Sequence, residues 1–195
     1  MSFFATLVTS LSALFLAAPA VAAAPPQVWK IDQDHSNFYF TIDHIFSKVR
    51  GSFTEYSGEV VFDPADLAAS KLHFVVQTAS IDTGIEQRDT HLRSPDFFDA
   101  TTHPTMEFTS QNIRQQDDLY LAEGEALVKG KKFPLTIPFS YSAPKAHPMM
   151  EGVQVMGLNA ALPIDRLVHG IGDETTLAVV GQEAEVLITM ELLDK

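Results

Sequence analysis

The chain has no cysteine among its 195 residues, so it holds no disulfide, thiolate metal site, iron–sulfur cluster or c-type haem attachment, and no thiol to lipidate. Basic residues are also scarce: 13 Lys and Arg stand against 25 Asp and Glu, for a formal charge of −12. Phosphate backbones and anionic membrane surfaces are bound through clustered Lys and Arg, so this balance argues against nucleic acid as a partner and reads as solubility. Beyond the N-terminal segment no apolar run approaches the ~20 residues that span a bilayer. There is no Gly-x-Ser-x-Gly elbow, and the paired acids Asp117 and Asp118 sit in a polar, turn-like run. The seven histidines (35, 44, 73, 91, 103, 147 and 169) show neither the His-x₃₋₅-His spacing of a zinc site nor a His-Glu-x-x-His pair, so no metal site is expected.

The first segment that is present is not fold. Residues 11–22 are an apolar run too short to span a bilayer, closing on small residues, which is the h-region and cleavage pattern of a secretory signal peptide. No Lys or Arg precedes it. Cleavage after Ala22 or Ala23 is expected, so residues 1–23 form the leader and residues 24–195 one exported domain large enough for a sizeable core.

Past the leader the pattern alternates. Eight strands are expected, at about residues 28–43, 52–62, 72–80, 105–113, 119–128, 133–141, 153–164 and 182–193, with a turn at 46–51. Within the first, the run Asn37-Phe-Tyr-Phe-Thr-Ile-Asp-His44 places Phe38, Phe40 and Ile42 on one face, and His44 follows them inward. Leu72, Phe74 and Val76 share a face of the third, Met106 and Phe108 of the fourth, and Met156 and Leu158 of the seventh, with Ile188 and Met190 on the eighth. The fifth turns small residues inward: Ala122, Gly124 and Ala126. The sixth keeps Leu135, Ile137 and Phe139 in phase but carries Pro134 and Pro138, which predicts an irregular or bulged strand.

Between strands three and four, residues 83–104 do not alternate. Residues 85–93 have helical composition, Ser94-Pro95 stops the helix, and Phe97-Phe98 must be buried, which suggests a lid over one end of the sheet. Eight sequential strands with short connections predict an all-β fold, an eight-stranded antiparallel up-and-down barrel with a short helical lid between strands 3 and 4; a two-sheet sandwich is the competing architecture. A barrel of this size is either filled by side chains or holds one slender ligand.

Several pieces together resemble one family, the YceI-like periplasmic lipid-binding proteins. They are Trp29-x-x-Asp32 with His35-Ser36, Phe40-x-x-x-His44, Lys48-Val49-Arg50-Gly51-Ser52-Phe53, Ser80-Ile81-Asp82-Thr83, Arg88-Asp89-x-His91-Leu92-Arg93-Ser94, Asp96-Phe97-Phe98-Asp99, Pro104 with Phe108, Leu127-x-x-Lys129-Gly130, and Asp165-Arg166. The resemblance implies a lipocalin-like barrel whose elongated pocket takes a polyisoprenoid or similar apolar chain, a periplasmic location, no catalytic activity and no cofactor beyond the bound lipid. The stretch Leu167-Val168-His169-Gly170 departs from the family's pattern, so no head-group role is carried over to that loop.

A polyisoprenoid tail offers apolar surface and little else, so its binding comes from buried area at about 25 cal/mol per Å². The wall expected by parity is Phe38, Phe40, Ile42, Phe74, Val76, Met106, Phe108, Met156, Leu158, Ile188 and Met190, joined by Phe97 and Phe98 from the lid. A phosphate or quinone head group needs convergent donors at the mouth, for which His44, Arg88, His91 and Arg93 are the candidates. Two other readings stay open: a filled-core stress or interaction protein, in which Arg88 and Asp89 merely pin the lid, and an enzyme acting on an isoprenoid with His44 or His91 as general base. Outward Tyr39, Leu121 and Leu187 permit a homodimer.

Overall fold

Alternation along almost every segment after the leader yields antiparallel strands that close on themselves. The computed structural model describes residues 26–195, and the expected leader at 1–23 lies outside the described residues. The strands are β1 Val28–Ile31, β2 Asn37–His44, β3 Ser47–Phe53, β4 Tyr56–Val61, β5 Lys71–Gln77, β6 Ile81–Asp82, β7 Thr105–Gln116, β8 Leu119–Val128, β9 Lys131–Ala146, β10 Gln154–Asp165 and β11 Val180–Leu193, with one helix, α1 Glu86–Arg93. The ring runs β1, β4, β5, β7, β8, β9, β10, β11 and back to β1, while β2, β3 and β6 extend from β11.

The eight expected strands are therefore present; the first two are each broken in two, and the third ends at Gln77, where a 3₁₀ turn, Thr78–Ser80, leads into the short β6 beyond its expected end. β1 and β2 both pair with β11, through Ile31 opposite Leu192 and Phe38 opposite Ile188. Across the break the Ser36 hydroxyl donates to the Glu191 carbonyl at 3.2 Å and accepts from its N–H at 3.1 Å, replacing the interrupted ladder. The turn expected at 46–51 shrinks to Ile45 and Phe46. β3 starts at Ser47 because its side chains pair across to β2, as Lys48 does with Asp43 at 2.8 Å.

These breaks divide the barrel into two ends. At one end β1, β4 and β5 close the ring; at the other β6 pairs only with β3, and β7 begins beside β5, so a gap is left that residues 83–104 cover with α1. The proline strand is irregular, as expected, and in two ways. β9 pairs with β8 from Lys131 to Phe139 without a register shift, but with β10 only from Phe139 onward. Pro134 and Pro138 thus lie where β10 has separated, and their missing N–H groups leave no partner there unbonded. The bulge itself falls further along the same strand: Val155 pairs with Lys145 and Gly157 with Ser142, so Ala143 and Pro144 on β9 stand against Met156 alone on β10.

The closed end is filled. Phe62 packs edge-on against Tyr120, Phe139 and Tyr141 at centroid distances of 4.9, 5.3 and 5.0 Å, and Val60, Leu72, Met156 and Leu192 are buried beside them. Small residues on β8 make room, since Ala122 is fully buried and a Cβ on Gly124 would meet the Thr109 carbonyl oxygen at 2.2 Å. That close approach coincides with the register shift between Ser110 and Asn112 on β7.

Phe139 has no solvent exposure in this packed end, whereas Phe40 at the other end is half-buried against open space. Urea unfolding should therefore separate the two. Phe139→Ala is expected to cost about 3–5 kcal/mol and Phe40→Ala less than about 2 kcal/mol, because only the first leaves a new void in dense packing.

Candidate ligand cavity

The inward face of β2 leads from the packed end to the mouth. Phe38 packs on Tyr56 and Phe74 at 4.6 and 6.1 Å and forms a floor. Above it Phe40 and Ile42 border a cavity of about 640 Å³, within the ~300–1,000 Å³ usual for small-molecule sites. The opposite wall comes from Val76, Met106, Phe108 and Ile188, and the lid contributes Phe97 and Phe98. Gly51 keeps this space open, because a Cβ there would meet the Phe40 ring at 2.4 Å and Thr83 at 2.8 Å.

Three residues expected in this wall are elsewhere. Met156, Leu158 and Met190 have the right parity, yet they belong to the packed end, where Met156 stands opposite Leu192 and Leu158 opposite Met190. Parity reports the side of a strand and is silent on height along the barrel. Wall residues left out of the expected set are Val128, Leu135, Ile137, Leu162, Ile164 and Val186, from the upper halves of β8 to β11. Their phase was visible, and only their height was not.

The polar groups gather at the mouth. His44 lies at the last position of β2, and α1 presents Arg88, His91 and Leu92, an i, i+3, i+4 face, to the cavity. Arg93 falls off that face and does not line the cavity; it donates to Glu86 at 3.2 Å and to the Ile81 carbonyl at 3.0 Å. Arg88 also has structural work: Nε reaches the Thr83 hydroxyl at 2.7 Å and Nη2 the Thr83 carbonyl at 2.8 Å. Buried Asp89 accepts from the Thr83 N–H and hydroxyl at 3.0 and 2.5 Å, so this trio pins the start of the lid. His91 approaches Asp96 at 3.3 Å on the surface and stands edge-on to Phe97.

Two cations not expected at the site organise its roof. Arg166, only 3% exposed, lines the cavity and donates to the carbonyls of Gly181 (2.7 Å), Ile171 (2.9 Å) and Val180 (3.2 Å) and to the Thr176 hydroxyl (2.8 Å). None of these acceptors is a carboxylate. Burial lowers its pKa, while Asp165 and Asp173 oppose the shift. The loop can wrap it because Gly172 has φ +72° and a Cβ there would meet Nη1 at 2.6 Å. Lys129 joins lid to loop: its Nζ donates to the carbonyls of Phe97 at 2.5 Å, Gly170 at 2.9 Å and Pro95 at 3.4 Å.

His169, in the stretch that departs from the family pattern, also lines the cavity, edge-on to Phe133 at 4.6 Å. Its Nδ1 is buried without a hydrogen-bond partner. Desolvation pushes its pKa down, and Asp165 opposes this. On the outer surface Asp32, His35 and Glu191 bring ligand atoms within 4.8 Å of one another, a proximity the spacing did not reveal. The local turn accounts for Asp32, which accepts from the His35 ring at 2.8 Å and the Asp34 N–H at 3.1 Å. Among the described residues no helix is long and apolar enough to cross a membrane. Of the outward apolar residues, Tyr39 and Leu187 are cross-strand neighbours, whereas Leu121 is on β8, three strands from β11.

The model of the YceI-like domain matches residues 29–192. Protein YceI of Shigella flexneri is 31% identical over 186 residues, covering 94% of this chain and 93% of that protein. Among solved structures, Burkholderia cenocepacia BcnA superposes with a TM-score of 0.75 at 24% identity, covering 83% of this chain and 98% of that one. A polyisoprenoid binding domain from Saccharophagus degradans gives 0.62 at 15% identity, covering 86% and 98%.

Because the folded His169 favours the neutral ring, its contribution to stability is complete above the ordinary imidazole value of 6.5 and is lost as pH falls through its lowered value. Urea unfolding between about pH 7.5 and about pH 5 should show a steeper loss for the wild type than for His169→Gln. Equal slopes would mean that this ring titrates as if exposed.

Proposed function

The chain belongs to the YceI-like family, and we propose that it is an exported protein that carries or sequesters a long-chain isoprenoid lipid, of prenyl phosphate or quinone type, in the hollow half of its barrel. The observation that carries this reading is the segregation inside the cavity: its floor and wall are almost entirely apolar, and its histidines and arginines gather at the mouth. An apolar chain gains free energy along the whole wall, and its polar terminus comes to rest beside His44, His91, Arg88, Arg166 and His169. Two cations among these groups favour an anionic or carbonyl-bearing head. The Saccharophagus degradans domain, named for polyisoprenoid binding, lends support through the fold alone.

A carrier suits the mouth better than an enzyme does. Among the described residues His91 meets a carboxylate only at the surface, and Arg88 and Arg166 are spent on carbonyls and hydroxyls, so these three form no oriented base and acid pair toward the lumen. Export follows from the apolar run at 11–22, and a periplasmic location agrees with the family's character.

Protein purified from the periplasm of a lipid-replete bacterium, then extracted and examined by mass spectrometry, should release a long-chain isoprenoid at close to one per chain, and its intact mass should lack residues 1–23. Ile42→Trp together with Val186→Trp, which fill the lumen, should lower that yield while the fold persists. Recovery of no apolar molecule from the wild type would remove the carrier reading.

A further inference from the structure

We propose that the rim of the cavity mouth is a membrane-docking surface, which seats in the apolar layer of a bilayer so that cargo passes between membrane and barrel without crossing water. The role rests on the carrier reading; the docking itself is tested without it. Of the eleven large apolar residues exposed among the described residues, six surround this one opening: Ile45, Phe46, Ile85, Val168, Leu177 and Val179. They come from the β2–β3 turn, the start of the lid and the β10–β11 loop, and each of these segments also supplies or adjoins residues that line the cavity. The Ile45 N–H donates to the Val179 carbonyl at 3.0 Å, which ties two of the segments together.

The turn carries the strongest signal. Ile45 and Phe46 form a two-residue connection between the paired His44 and Ser47, a place where glycine or asparagine is unstrained. Ile45 instead holds a β-branched side chain at φ +52°, and Phe46 is fully exposed. Strain and exposure thus fall together on an apolar tip at the mouth. The exposed apolar residues at the other end, such as Leu119 and Met149, do not line this cavity.

A bilayer is the occupant that fits the rim's continuity with an apolar lumen, because an inserted rim gives the cargo an unbroken apolar path. Charge does not drive this docking. The chain carries −12, and near the turn Lys48 is paired with Asp43 at 2.8 Å, so insertion must work on uncharged lipid.

The test is co-sedimentation with phosphatidylcholine vesicles. The wild type should pellet with them, Phe46→Asp should lower the bound fraction roughly tenfold or more, and Met149→Asp at the opposite end should leave it unchanged. Added phosphatidylglycerol should not strengthen binding, and salt should not release it. The proposal is overturned if the wild type stays in the supernatant, if Phe46→Asp pellets like the wild type, or if binding requires anionic lipid and is lost in salt. It is also overturned if light scattering shows Phe46→Asp splitting a dimer while the wild type ignores vesicles, since the rim would then join two copies. Binding of the apolar fluorophore cis-parinaric acid in the lumen should be equal in wild type and Phe46→Asp. If neither takes up the fluorophore while the wild type still pellets, docking stands and the carrier reading falls.

Discussion

Two cations that donate to neutral oxygens, buried Arg166 and half-buried Lys129, hold the open end of this barrel together. A closed sheet satisfies its own backbone, but here the ladder is absent between β6 and β7 and between β9 and β10 at the mouth, and lid and loop bring in carbonyls that need donors. Lys129 and Arg166 supply them, the first between lid and loop and the second within the loop. Because the acceptors are carbonyls and a hydroxyl, neither positive charge is cancelled by direct contact with a carboxylate. The roof therefore fixes geometry and at the same time places the Arg166 guanidinium beside an apolar lumen.

The lower half solves the opposite problem. Ala122 is fully buried beside large aromatic side chains, and Gly124 lets the bulged backbone of β7 come close, so the interior there is closely packed. Stability can thus come from one end and binding from the other. The division follows from where the first two strands break and the third ends, because those interruptions let the upper segments β2, β3 and β6 leave the ring that the lower segments close.

Much of this was legible in the residues. The eight alternating segments, the lid between the third and fourth, the small inward face of β8 and the inward ring of His44 all follow from period and composition, and each stands in the fold. What period cannot supply is axial position: Met156, Leu158 and Met190 share a phase with true wall residues, yet they sit below the floor. Nor does local pattern reveal a long-range donor. Lys129 reads as a turn residue and Arg166 as a strand end, and their acceptors lie up to 41 residues away. Pro134 and Pro138 announced irregularity correctly, although at those two positions it takes the form of an unzipped β10, and the bulge of β9 falls later, at Ala143 and Pro144.

The central claim is that the upper half is empty of protein and filled by something else. Crystallographic density for protein isolated from its own compartment tests this most directly. The account predicts one continuous, elongated feature running from the Phe38 and Phe74 floor to the space between His44 and the lid. Density explained entirely by Phe40, Phe53 and Met106 collapsed into the lumen would contradict it.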